Sequence, residues 1–236
     1  MRGCLTIVIL AAVFVVAATW FVGPAAAQFV VERALAANGF TGTATTVTVR
    51  ADPPFELLTG HADAVDIHAD HAAVRRLQAA SLTVRLTNVD VLGRRFGAVD
   101  GRLDGVTLHA ADGSTIEADS IRLLGPGNDV TATVRIAGSV VRRLAAEAVR
   151  RQLGLTAGDI TLVGPDLIRF NVAGIPAEGR FAVDEAGALY VDANFAGSPR
   201  LKIVDTGDPL VLRSAVVDGP DVVLVGTLDV AGLLLP

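Results

Sequence analysis

Six residues able to bind a metal or move a proton fall within eleven positions: His61, Asp63, Asp66, His68, Asp70 and His71. Imidazole and carboxylate are the donors that zinc and related ions take. The spacing, however, is that of a strand, whose alternation sends Asp66, His68 and Asp70 to one face and His71 to the other. These residues therefore read as the solvated side of a strand, and no metal site is expected. His109 lies beside Leu108 in a second alternating run, with no partner legible in the sequence. G-x-S-x-G, H-E-x-x-H, Walker A and post-strand G-x-G-x-x-G patterns are absent from the chain. With acidic residues scattered and none singled out, no catalytic residue and no cofactor are expected.

Arginine supplies a second kind of chemistry. It occurs as the pairs Arg75-Arg76, Arg94-Arg95, Arg142-Arg143 and Arg150-Arg151, while Lys202 is the only lysine. A guanidinium matches phosphate with paired donors, which makes Arg142, Arg143, Arg150 and Arg151 candidates for a lipid headgroup. Helical spacing also puts Arg143 near Glu147, and Glu147 near Arg150 and Arg151, so surface ion pairing accounts for part of the pattern.

Composition narrows the field. The 236 residues are 51% hydrophobic, 19% charged and 5% aromatic, too apolar for a disordered chain and long enough for one domain with a sizeable core. A net charge of −5 lacks the basic footprint of a nucleic-acid binder, and the single cysteine excludes a disulfide framework.

The elements that must position these residues begin with a leader. Arg2 precedes Cys4 to Val22, in which Thr6 and Thr19 are the only non-apolar residues, and Ala25-Ala26-Ala27 follows. The run has nearly the length of a bilayer core, and the alanines fit a cleavage site, so residues 1–27 read as a signal peptide or a signal anchor. Either one sends residues 28–236, a single domain, across the membrane, with Arg2 left on the cytoplasmic side. Cleavage would leave no cysteine and a net charge of −6, because the leader holds Arg2 and no acid.

Pro24 to Asn38 reads as a helix ended by Asn38-Gly39. From Thr43 onward the period becomes two, through runs around Val47, Val65, Val84, Val106, Ile116 and Val134. Turn residues separate them at Asp112-Gly113, Gly125-Pro126-Gly127 and Asn128-Asp129. Ser139 to Leu153 breaks the alternation: Val141, Leu144, Ala145, Ala148 and Val149 recur at three and four, with Ser139 as N-cap and Gly154 as stop. Alternation then resumes at Ile160–Val163, Leu167–Val172, Gly179–Val183, Leu189–Phe195, Leu210–Val217 and Asp221–Val230. Asp184 to Gly187 and Asp218-Gly219-Pro220 form hairpin-like connections. The expected class is α+β: a highly curved antiparallel sheet around one or two helices, or a closed barrel.

Asp52-Pro53-Pro54-Phe55-Glu56-Leu57-Leu58-Thr59-Gly60, followed by Val65-Asp66-Ile67 and later by Leu103-Asp104-Gly105-Val106, resembles the LmeA-like phospholipid-binding proteins of actinobacteria. The order of features agrees over roughly Gln28 to Val230. Acidic Glu56 is a departure, since the family more often has an uncharged residue inside this apolar turn. The resemblance implies a tubular lipid-binding fold of the BPI-like kind and a phospholipid partner at the outer face of the cytoplasmic membrane.

Independently, alternating aliphatic residues can line a dry groove for acyl chains. The expected contacts are Val141, Leu144, Ala145 and Ala148, where small alanines beside larger aliphatics leave room, and then the turn residues Phe55, Leu57 and Leu58. The expected function is non-enzymatic phospholipid binding or transfer in the cell envelope. The alternatives are an envelope scaffold that gathers protein partners, and a hydrolase or transferase of envelope lipids or glycans.

Overall fold

A computed structural model describes residues 39–90, 93, 95–109, 113–127, 129–194, 197, 200–206 and 210–229, with helical positions 25, 28–29, 31–33 and 35–37. The expected leader, Cys4 to Val22, lies outside the described residues, and so do Asn38, Asp112 and Asn128. Among the described residues no helix is long and apolar enough to cross a membrane.

Thirteen strands and one long helix make up the described domain. In chain order they are β1 (Thr41–Arg50), β2 (His61–Val74), β3 (Leu77–Asp90), β4 (Ala98–His109), β5 (Thr115–Pro126) and β6 (Asp129–Ala137). The helix α1 (Gly138–Leu153) follows, then β7 (Ala157–Val163), β8 (Leu167–Val172), β9 (Ile175–Val183) and β10 (Ala188–Asn194). The last strands are β11 (Arg200–Asp205), β12 (Leu210–Asp218) and β13 (Asp221–Asp229). They form two open antiparallel sheets, one of eight strands in the order β1-β2-β3-β4-β5-β6-β13-β12 and one of five in the order β11-β10-β9-β8-β7. The barrel alternative is thus not adopted. The strands are divided between two sheets, and α1 lies against β6 and β13 of the first and β7 and β11 of the second.

The helix forms for the reason its sequence implies. Its buried side chains, Val141, Leu144, Ala145, Ala148 and Val149, follow the 3.6-residue period. Gly154 closes it in the left-handed region at φ 68°, donating its N–H to the Arg150 carbonyl at 3.0 Å. The start differs from expectation. Ala137, not Ser139, occupies the N-cap position, without a side-chain cap. Gly138 donates its N–H to the Pro220 carbonyl in the β12–β13 turn, 3.1 Å away, so one of the helix's free donors is satisfied by tertiary contact. A Cβ on residue 138 would collide with that carbonyl oxygen, which explains the glycine.

The leading helix ends as its sequence predicts: Gly39, at φ 77°, donates to the Ala36 carbonyl, and Phe40 donates to that of Leu35. This is the paired closure of a Schellman end. Gly125 and Pro126 belong to β5 rather than to a turn, which begins at Gly127.

Strict alternation does not persist in the long strands. Ala69 and Ala72, Leu86 and Val89, and Leu103 and Val106 are each three apart yet all lie in or against the core. Between the members of each pair sits a left-handed residue: His71 at φ 49°, Asn88 at 49° and Gly105 at 58°. One residue of that conformation bends the strand and returns the next apolar side chain to the same face.

The hairpin at Asp184 is a local charge lock. Ala188 donates its N–H to the Asp184 carboxylate at 2.8 Å, and the carboxyl is held below its usual range by that bond, then by the Tyr190 hydroxyl and the Ala186 N–H, with the Arg200 charge nearby. Arg200 itself stacks 4.3 Å from the centre of the Tyr190 ring. Because the folded carboxyl is more acidic than the unfolded one, its stabilisation is present above the unfolded pKa and lost as pH falls through the folded pKa. Asp184→Asn should therefore melt below the wild type at about pH 7, with the gap narrowing as pH falls below the ordinary aspartate range. Melting curves whose separation does not change between neutral and acidic pH would contradict this assignment.

Candidate functional site

Strand register builds one continuous apolar face across the eight-stranded sheet. Val47 of β1 pairs with Ile67 of β2, Ile67 with Val84 of β3, and Val84 with Gly101 of β4. The neighbouring row runs Val49, Val65, Leu86 and Val99. Further along, Leu103, Ile121, Val134 and Leu224 carry the same face through β4, β5, β6 and β13. The opposite face is polar: Asp66 pairs with Arg85 and Arg85 with Asp100, while Arg102 pairs with Arg122.

Two separate covers lie over the apolar face. At the β1–β2 end, Val31 and Leu35 of the leading helix and Leu57 pack against Val47, Val49, Ala62, Val65 and Ile67. At the other end α1 and the smaller sheet complete a large common core. The seam between the covers falls on β3. Leu82, Leu86 and Val89 touch both clusters, and together with Val84 they remain only partly buried. Their pairing partners on β2 and β4 are buried or lack a side chain: Val65, Ile67 and Ala69 on one flank, Val99, Gly101 and Leu103 on the other. Between the two covers the accessible part of the face is therefore a narrow aliphatic strip along β3.

The residues expected to contact lipid are divided by the structure. Val141, Leu144, Ala145 and Ala148 are 2%, 3%, 6% and 0% exposed, sealed by the protein's own side chains. In this conformation that face is closed to solvent. The alanines that were expected to leave room instead let neighbouring elements close onto the helix. Pro54–Thr59 forms a 3-10 turn closed by Gly60 at φ 82°. Thr59 Oγ1 donates to the Glu56 carbonyl at 2.7 Å, and Asp63 accepts the Asp52 N–H at 2.7 Å, which ties the turn to β2. The turn directs Leu57 inward against the β1–β2 cluster and leaves Phe55 59% exposed. The Leu58 side chain lies outside the described residues. Sequence reasoning missed the β3 strip, although its alternating Leu82, Val84 and Leu86 are plain; partial cover is a property of neighbours and not of the strand.

The candidate headgroup arginines, Arg142, Arg143, Arg150 and Arg151, are all exposed on α1. Arg143 reaches Glu117 of β5 at 3.3 Å. Arg150 and Arg151 occupy the last turn, where cations complement the helix dipole.

The histidine-aspartate run is dispersed into local pairs. Asp66 sits 3.3 Å from Arg50 and 3.7 Å from Arg85. His68 Nδ1 lies 3.1 Å from Thr83 Oγ1, and His61 lies 4.0 Å from Asp90. Asp66 Oδ2 is shut away from water without a hydrogen bond of good geometry, yet the two guanidiniums still compensate its charge. Among the described residues no three His, Cys, Asp or Glu side chains come together as a metal-ligating group.

No family model, characterised protein or solved structure matches this chain, so its likeness to the LmeA-like proteins rests on the residues quoted for it.

Proposed function

We propose that this protein binds phospholipid in the cell envelope, outside the cytoplasmic membrane, and holds acyl chains along the β3 strip without catalysing a reaction. The observation that carries the reading is the single apolar face covered from both ends and only partly covered at Leu82, Val84, Leu86 and Val89. An acyl chain suits such a strip: it is narrow, aliphatic and flexible, and each methylene withdrawn from water contributes about 0.8 kcal/mol. On this reading the eight-stranded sheet curls about α1 and the leading helix as a tube. Leu57 closes one end of the strip, and outward Phe55 meets the bilayer surface. Arg142 and Arg150 are the exposed helix cations available to a phosphate. The apolar leader, Cys4 to Val22, supports the extracytoplasmic placement, whether cleaved or kept as an anchor.

A scaffold that organises envelope proteins is the second reading, favoured by the sealed face of α1. Native mass spectrometry of the full chain, purified from a host with a comparable envelope, separates the two. A bound diacyl phospholipid is expected. A chain that carries none, and takes none from phosphatidylglycerol vesicles, overturns lipid binding, and its co-purification with protein partners would then favour the scaffold.

A further inference from the structure

The smaller sheet carries a second feature, remote in sequence from the β3 strip. An open depression of about 430 Å³ lies on its polar face, lined by the side chains of Asp159, Arg169, Asn171, Glu178 and Asn194, with Pro176 at its edge and the strands carrying Phe170 and Ala177 as its floor. Its volume falls within the range of small-ligand sites. Register explains how residues far apart in sequence meet there: Arg169 of β8 pairs with Glu178 of β9, and Glu178 with Asn194 of β10. Asp159 arrives differently. The β7–β8 register shifts between Gly158 and Thr161, and Asp159 takes a left-handed φ of 51°. An irregularity of this kind redirects a side chain. The Asp159 carboxylate accepts a hydrogen bond from Asn171 Nδ2 at 2.7 Å, and Glu178 accepts one from Arg169 Nε at 2.7 Å.

We propose that this cavity is a binding site for a neutral polyhydroxylated ring, the chemistry of a sugar. Its lining alternates planar acceptors and donors: two carboxylates, two amides and a guanidinium. Each such group can bridge adjacent hydroxyls, accepting from one or donating to the other. The two internal pairs hold these planes in place before a ligand arrives, which lowers the ordering cost of binding. Two carboxylates against one guanidinium leave the lining net negative, which disfavours a phosphate or a phospholipid headgroup. Exposed Pro176 provides apolar atoms for the C–H face of a ring, while the Phe170 side chain lies in the core beneath the strand. No aromatic face is offered for stacking among these residues, so affinity in the millimolar range, about −4 kcal/mol, is expected.

The test is saturation-transfer NMR on the full chain in dodecylphosphocholine, a detergent without a sugar headgroup. The probes are methyl α-glucoside, methyl α-galactoside and methyl α-mannoside. Transfer to at least one of them is expected, and Asn194→Ala or Asp159→Asn should weaken it about tenfold, the loss of roughly one hydrogen bond at a charged or planar partner. Asn at position 159 tolerates the left-handed backbone, so that variant should stay folded. An unchanged melting temperature in either variant checks this. No transfer to any of the three overturns the proposal, and so does transfer that both variants preserve. Displacement of the sugar by inorganic phosphate or by choline chloride at equal concentration would identify an ion site and equally overturn it. Phospholipid uptake should not change in either variant, so failure here is distinguishable from failure of lipid binding at β3.

Discussion

Leu144→Ala should lower stability by about 3 kcal/mol and leave phospholipid uptake per folded molecule unchanged. Leu144 is 3% exposed, on the face of α1 that joins both sheets in one core. Truncation removes the transfer free energy of the lost carbons and leaves a cavity, because α1 is held from both sides and cannot settle into the gap. A typical domain stability of roughly 5–15 kcal/mol would leave the variant folded at room temperature. Urea denaturation measures the first part, and uptake of labelled phosphatidylglycerol the second. A small stability loss accompanied by impaired uptake would mean that α1 faces lipid after all, in a conformation more open than this one.

The complementary expectation concerns the strip. Leu82→Gln combined with Leu86→Gln should reduce phospholipid uptake at least tenfold, while lowering stability by only about 1–2 kcal/mol. Both leucines are partly buried and touch the two clusters from the seam, so the amides of the introduced glutamines can reach water when no lipid is bound. With an acyl chain in place those amides would be covered by hydrocarbon and left without partners, and binding would carry that penalty. Any lipid taken up through residues 1–27 is common to wild type and variant, so the difference between them reports the strip alone. Equal uptake by the two proteins would remove the β3 site. Taken with an unchanged uptake in Leu144→Ala, it would place the lipid outside both the strip and α1.

The charged exterior deserves less weight than its number of pairs suggests. Arg135 bridges Asp218 and Asp221 at 2.9 and 3.1 Å and ties β6 to the β12–β13 turn, and Arg169 meets Glu178 at 2.7 Å. Such exposed pairs each contribute little to stability, because water and salt screen them. Their value is positional: Arg135 fixes the turn on which α1 begins, and Arg169 orients the carboxylate of Glu178.

What could be read without coordinates is what depends on near neighbours in the chain. Leu167 to Val172 was legible as a strand from its alternation, and its bounds coincide with those of β8. The amphipathic spacing of Val141, Leu144 and Ala148 marked α1, and Gly39 and Gly154 marked two helix ends, because each signal lies within a few residues of its effect. Ser139 misled for a related reason: a serine near a helix start is a good local cap, but the carbonyl of Pro220, distant in the chain, takes the role of partner at Gly138. Only the folded chain decided how the apolar faces are covered. Alternation places Leu86 and Leu103 on the same footing, yet Leu103 is 5% exposed beneath the main core, while Leu86 stays partly open between two covers. The polar cavity was equally invisible, since Arg169, Glu178 and Asn194 become adjacent through register between three strands, and Asp159 turns toward Asn171 only at a break in that register. Periodicity specifies which way a side chain points relative to its own backbone; what stands opposite it is set by contacts between residues far apart in the chain, which local pattern does not encode.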